Sequence, residues 1–250
     1  MIKIMGLGLW DENSMTLKAL KEAKDCDILY AEFYTSELLG SSIEKLEKKI
    51  GKKINVLNRD EVESEMKMLE QADKKKVGFL VGGDALTATT HIDILIEAEK
   101  KGIETKVIHG TSIFTASAGL TGLQIYKFGK TASMPYSEKG FQPETPYEII
   151  SENTKAGMHT LILLDIKPDR KMTANEAMKY LLEIEKKKEK GIFTKETEIC
   201  IVARAGSDKP LVKFGKVKKL SKEEFGGPMH VLIVPGKLHF KEEEALKKWK

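Results

Sequence analysis

The chain has 250 residues, with 42 Lys and Arg against 38 Asp and Glu, a formal charge of +4 and a pI of about 8.7. That balance is a modest excess of lysine rather than a concentrated basic stripe, which argues against nucleic acid as the partner. Cys26 and Cys200 lie far apart and outside any metal-type spacing, which argues against a disulfide scaffold or a zinc site and for a reducing compartment.

The opening MIKIMGLGLW lacks the long apolar core of a signal peptide, and no run approaches the roughly 18 apolar residues of a membrane helix. The expectation is a soluble, cytoplasmic protein. Charged residues make up 32% of the chain, above the roughly 25% usual in soluble domains, and the Lys- and Glu-rich composition is of the kind found in heat-adapted proteins.

In chain order, Ile2 to Met5 reads as a strand, followed by a helix from about Ser14 with Ala19, Leu20, Ala23 and Cys26 on one face. Residues 27–33 return to strand, 42–50 to helix and 53–57 to strand. The next helix should carry Val62, Met66 and Leu69 on one face. Val77 to Val81 is an apolar run without polar alternation, as suits a strand buried on both faces. His91 to Lys101 reads as a helix with Ile92, Leu95 and Ile96 aligned, and Thr105 to Ile108 as a fifth strand. Five strands separated by helices imply a mostly parallel sheet with helices on both faces.

The rhythm then changes. After a Gly-, Pro- and Tyr-rich passage over residues 130–146, HTLILLDIK is a strand, and residues 173–190 form a long helix with Ala177, Met178, Leu181 and Leu182 inward. TEICIVARAG and PLVKFGKVKK pair as a hairpin across Gly206 to Lys209, and MHVLIVPG closes a mixed sheet. The fold class is therefore α/β in two domains, 1–118 and 119–250, with the boundary falling near 115–125. Lysine runs at 74–76 and 186–188 read as helix ends, where positive charge complements the dipole.

Candidate chemistry gathers at strand ends. Gly6-Leu7-Gly8 follows the first strand, but Asp11 occupies the position where a dinucleotide-binding fingerprint needs its third glycine. GGDALTATTH lacks the Lys-Ser/Thr ending of a phosphate-binding loop. Asp84 there either receives a ligand hydroxyl or amine or caps the next helix. His109-Gly110-Thr111-Ser112 repeats the pattern one strand later, and adjacent loops of this type favour a crevice outside the strand ends. The five histidines show no metal-ligand spacing, and no Gly-x-Ser-x-Gly elbow is present. A reaction that needs only positioning would leave such a sequence.

Taken together, GLGLWDENSMTLKALKEAKDCDILYAEFYTS, GGDALTATTH and HGTSIFTASAGLTGLQIYKFG resemble the three loops of the tetrapyrrole-methylase-like superfamily. LWDE, YAEFYTS, ATTH, SIFTASAGLTGLQIYKFG and PMHVLIVPGKLHFKE are similar to its diphthine synthase family in particular. The likeness covers essentially the whole chain. It implies a two-domain N-methyltransferase that binds S-adenosylmethionine in a cleft between the domains, without a metal, usually as a homodimer. The substrate implied is elongation factor 2, at a histidine bearing a 3-amino-3-carboxypropyl group, methylated to the trimethylammonium form on the way to diphthamide. Alternatives of the same fold are a methyltransferase acting on a precorrin-type tetrapyrrole and a non-catalytic cofactor-binding scaffold for a translation factor.

By motif position, the resemblance places Leu9, Asp84, Thr87, Ser112 and Ile113 against S-adenosylmethionine from the first domain, and Leu164, Ala205 and His230 from the second. Gly82 and Gly83 would let the backbone approach the methionine end, while Asp84 accepts a polar hydrogen from it. Ala85 stands where the superfamily often has proline, which would leave the loop less constrained. A positive group for the substrate carboxylate would come from Lys127, Lys130, Arg170 or Arg204. No residue is singled out as a general base.

Overall fold

A computed structural model describes residues 1–137 and 143–250; the remaining part of the Gly-, Pro- and Tyr-rich passage, 138–142, lies outside the described residues. The chain divides into two compact units, Met1–Ile113 and Phe114–Lys250.

The first unit is built on five parallel strands: β1 (Ile2–Gly6), β2 (Ile28–Glu32), β3 (Ile54–Val56), β4 (Val77–Val81) and β5 (Thr105–Ile108), in the order β3-β2-β4-β1-β5. Its helices are α1 (Leu17–Asp25), α2 (Ile43–Ile50), the short α3 (Arg59–Glu63) and α4 (Ile92–Lys100). The unalternating apolar run of β4 is explained by packing on both faces. Val77, Phe79 and Val81 join Val62, Met68, Ile94 and Ala98 on one side, whereas Leu80 joins Met5, Ala19, Ala23, Leu46 and Ile50 on the other.

Local signals set the helix limits. Thr16 and Ser42 accept backbone N–H bonds at the starts of α1 and α2, and Gly51 ends α2 in the left-handed conformation. Two expectations need correction. The helix drawn through Val62, Met66 and Leu69 stops at Glu63, so that α3 is little more than one turn long, and after Met66, whose φ is 48°, a 3-10 turn carries Met68 and Leu69 inward. In α4 the inward residues are Ile94 and Ala98; Ile92 and Ile96 are about half exposed, because the helix is rotated from the face its isoleucines suggest.

In the second unit α5 (Ile113–Thr121) leads to β6 (Ala132–Met134), α6 (Thr145–Lys155), β7 (Thr160–Leu164), α7 (Ala174–Lys188), β8 (Glu198–Ala203), β9 (Leu211–Lys216), α8 (Val217–Leu220), β10 (His230–Val234) and α9 (Phe240–Leu246). The sheet order is β6-β7-β10-β8-β9, with β6 parallel to β7 and every other pairing antiparallel. The β8–β9 hairpin turns where glycine and polar residues required it. Four elements, β6, α6, α8 and α9, are not announced by the hydrophobic pattern, and α8 falls where PLVKFGKVKK reads as continuing strand. Tyr147 and Ile150 of α6 pack with Ala177, Met178, Leu181 and Ile184 of α7 over Ile162, Ile201 and Leu232, while Leu182 is only partly buried at the edge of that core. The lysines at 186–188 close α7 as expected. Those at 74–76 follow turns rather than a helix, and Lys76 pairs with Asp25.

Candidate functional site

In the first unit, β4, β1 and β5 are neighbours and parallel, so their carboxyl ends share one edge of the sheet. The connections after β4 and β1 leave in opposite directions, which makes this the switch point where open α/β sheets hold ligands. The loops there are packed backbone to backbone. Gly8 and Gly83 exchange N–H···O bonds of 3.0 and 2.7 Å. A Cβ on Gly6 would sit 2.6 Å from the Gly83 oxygen and 2.7 Å from the Gly110 nitrogen, and one on Gly110 would sit 2.4 Å from that same oxygen. Glycine is required at both positions because any side chain would separate the three loops. Gly83 differs: its φ is +77° and nothing lies within 4 Å of where its Cβ would point, so this turn faces open space. Gly82 is instead packed against Ser36.

Asp84 locks the arrangement. One carboxylate oxygen accepts from the Leu86 amide at 3.3 Å and the Thr87 hydroxyl at 2.9 Å; the other accepts from the Gly110 amide at 3.1 Å and pairs with His109 Nδ1 at 2.9 Å. A carboxylate offers about four acceptor positions, and the chain itself occupies all four. Burial pushes the Asp84 pKa upward, but the hydrogen bonds from Thr87, Leu86, His109 and Gly110 outweigh it and hold the carboxyl below its ordinary value. Asp84 is therefore an organiser that ties the β4 loop to the β5 loop, and it does not cap α4, which begins eight residues later. Ala85 is fully buried; the loop is constrained by these bonds without proline.

Thr87, Leu9, Ser112 and Ile113 are partly exposed at the same edge. Leu9 lies just past the Gly8–Gly83 pairing, and Ser112 and Ile113 open α5.

In the second unit, Leu164 ends β7, Ala205 follows β8, and His230 begins β10, which runs antiparallel to both. Because His230 pairs with Ala203 and Val231 with Leu163, all three predicted residues fall at one end of that sheet. His230 is buried and neutral in a defined tautomer: Nδ1 accepts from the Ala174 amide at 3.2 Å, so Nε2 carries the hydrogen and donates to the Gly227 carbonyl at 3.0 Å. Burial drives its pKa down. With both nitrogens engaged, only its backbone or ring face remains for a ligand.

The proposed carboxylate-binding cations are already engaged in part. Lys127 binds the buried Glu242 and the Lys237 carbonyl, Arg204 donates to the Phe225 and Gly227 carbonyls at 2.7 and 2.9 Å, and Arg170 lies 3.8 Å above the Tyr136 ring. Lys130 is exposed, with its backbone held by Asn153.

One pair beside the site escapes sequence reasoning. Glu32, at the end of β2, and His91, just before α4, are both buried, with Oε1 and Nε2 3.8 Å apart. Burial raises the Glu32 pKa to about 7 and lowers that of His91 to about 4. The signal available was an acidic residue ending an otherwise apolar strand, in YAE.

Among the described residues no group of three or more His, Cys, Asp or Glu could hold a metal ion, and no helix is long and apolar enough to cross a membrane.

Residues 1–221 match the model of the tetrapyrrole (corrin/porphyrin) methylases. The chain is 53% identical over 252 residues to the diphthine synthase of Methanocaldococcus jannaschii, covering 99% of this chain and 98% of that one. It is 50% identical over 254 residues to that of Methanosarcina mazei, covering 99% and 95%. A crystal structure of a diphthine synthase superposes with a TM-score of 0.91 at 40% identity, covering 99% of this chain and 95% of the other. The chain belongs to the tetrapyrrole (corrin/porphyrin) methylase family, and within it groups with the diphthine synthases.

Proposed function

We propose that this protein is an S-adenosylmethionine-dependent N-methyltransferase of diphthamide biosynthesis, acting on elongation factor 2. Its target is the amino nitrogen of the 3-amino-3-carboxypropyl-modified histidine, carried to the trimethylammonium form. The observation that carries this reading is end-to-end likeness to diphthine synthases, at 53% identity, in a chain whose β1, β4 and β5 loops are locked together around an open Gly83 turn.

The donor set suits the ligand. Leu9, Asp84, Thr87, Ser112 and Ile113 would hold S-adenosylmethionine from the first unit, with Asp84 acting through the loop it organises, and Leu164, Ala205 and His230 from the second. When bound, S-adenosylmethionine supplies a methyl group already activated on a sulfonium sulfur, which departs as a neutral thioether. Attack by an amine then needs no metal, so the chain's own residues have to bind, orient and exclude water. Orientation of this kind contributes about 7–11 kcal/mol in favourable cases, and it depends on a rigid support. The backbone packing of Gly6, Gly83 and Gly110 and the bonds to Asp84 provide that rigidity. The working form is a dimer of two copies of this chain in the cytoplasm, with elongation factor 2 as its macromolecular partner and no nucleic acid bound directly.

Mass spectrometry of elongation factor 2 bearing the aminocarboxypropyl-histidine, after incubation with this protein and S-adenosylmethionine, tests the proposal. Successive methyl additions on that residue are expected. No addition, with cofactor binding established separately, would overturn it and leave a macrocycle methyltransferase or a binding scaffold.

A further inference from the structure

Glu32 and His91 sit beneath the loop that carries Asp84. Glu32 is in register with Val81, the last residue of β4, and its side chain follows Tyr30 onto the α4 side of the sheet. The carboxyl is fully buried; Oε2 accepts from the Thr35 amide at 2.9 Å, while Oε1 has no hydrogen-bond partner. His91 is 1% exposed and edge-on to Phe79, and neither of its ring nitrogens has a partner. Buried polar atoms are paired in folded proteins as a rule, and here three orphaned atoms belong to two side chains facing each other at 3.8 Å.

The segment after Glu32 touches the same loop at its other end. A Cβ on Gly82 would lie 2.9 Å from the Ser36 side chain, so Ser36 supports the start of the loop while Glu32 faces its last residue, His91. The charged and titratable groups around Glu32 are Tyr34 on its own segment, Arg59 and Glu63 from α3, and His91. Arg59 lies 4.9 Å over the Tyr34 ring.

We propose that Glu32 and His91 are a positioning pair that shares one proton and braces the Gly82–His91 loop from below. This inference rests on the reading of that loop as part of the S-adenosylmethionine site. A closure of roughly 1 Å brings Oε1 and Nε2 to hydrogen-bond distance. The neutral carboxyl then donates to the imidazole, which leaves His91 with its hydrogen on Nδ1. The Ala85 backbone, one residue past Asp84, lies near the His91 ring, although not at hydrogen-bond geometry. The pair thereby connects the Thr35 amide to the backbone of the cofactor loop. Losing the shared proton would leave a buried carboxylate whose desolvation outweighs the help of Thr35 and Arg59, which favours loosening of the loop.

The test is calorimetric measurement of S-adenosylmethionine affinity from acid to alkaline pH for the wild-type chain, Glu32→Gln, Glu32→Ala and Asp84→Ala, with folding checked by circular dichroism. Wild-type affinity should fall as pH rises through about 7, the value to which Glu32 is raised. Glu32→Gln, which cannot ionise, should keep low-pH affinity within about threefold and remove that part of the profile, whereas Glu32→Ala should lose roughly tenfold or more, about 1.4 kcal/mol. A Glu32→Gln profile parallel to wild type overturns the inference whether or not Glu32→Ala folds. If Asp84→Ala alone weakens binding, the pair is dismissed and the loop assignment stands. If neither Asp84→Ala nor Glu32→Ala weakens it, both fall.

Discussion

Replacing Asp84 by asparagine separates an organising carboxylate from a residue that merely fills space. The amide is isosteric, but only one of its two terminal atoms accepts. Either the Leu86 and Thr87 pair or the Gly110 and His109 pair then faces an NH2 group instead of an oxygen. The Asp84 side chain is 10% exposed, so its bond to the Gly110 amide is little screened, whereas His109 is 74% exposed and its share is discounted. A hydrogen bond to a charged group is worth about 1.5–3 kcal/mol. The cost should thus be about that much, or roughly 3–12 °C in the unfolding transition of the 250-residue chain at about 2–4 °C per kcal/mol. If the same energy fixes the loop for the cofactor, S-adenosylmethionine affinity should fall roughly 10- to 150-fold by calorimetry. The pKa of Asp84 is depressed in the folded chain. Its contribution is therefore present above the ordinary carboxylate range and lost as pH falls through the lower folded value, a loss absent in the asparagine variant. An Asp84→Asn protein that melts and binds like wild type would refute the organising role.

Other consequences follow from the same geometry. Gly6→Ala would drive a methyl group to 2.6 Å from the Gly83 oxygen and should abolish measurable cofactor binding, while Gly51→Ala, at an open position with φ of +79°, should cost only about 1 kcal/mol in thermal unfolding with binding unchanged. Glu242 is buried and accepts from Lys127, His159 and the amides of Gln124 and His239; Glu242→Ala should destabilise the second unit by about 3–5 kcal/mol, read by denaturant titration. Because burial is outweighed by those bonds and the Glu242 pKa is lowered from 4.5 to about 2, the contribution of Glu242 is present above pH 4.5 and should disappear as pH falls towards 2. Cys26 and Cys200 are buried free thiols whose pKa values burial raises, so a thiol reagent should label neither at neutral pH until the chain is unfolded.

Much of the architecture is legible in the residues because the physics behind it is local. Short apolar runs set against helical spacing separate strands from helices in the first unit, and Thr16, Ser42 and Thr173 mark helix starts by accepting amide bonds. The Gly-rich strand ends also announce themselves, since only glycine allows three loops to meet backbone to backbone. Where the reading failed, the cause was rotation or a break that hydrophobicity does not encode: the helix stops at Glu63 and left-handed Met66 turns the chain into a 3-10 segment although the apolar spacing continues, and Ile92 and Ile96 stay exposed while Ile94 turns inward.

The sequence by itself determined the α/β class, the five parallel strands, the hairpin of the second sheet and the family, because these follow from periodicity, turn chemistry and motif. Only the tertiary structure decided what individual side chains do. Asp84 reads in sequence as either a ligand acceptor or a helix cap, yet its four acceptor positions are filled by groups from two loops brought together by the order β4-β1-β5. Glu32 and His91 lie 59 positions apart in two separate motifs, YAEFYTS and ATTH, and they become a pair because β2 lies beside β4 and both side chains turn to the α4 face. Partnership and burial depend on neighbours that are distant in the chain, and these set whether a polar residue is a ligand, a brace or a proton store.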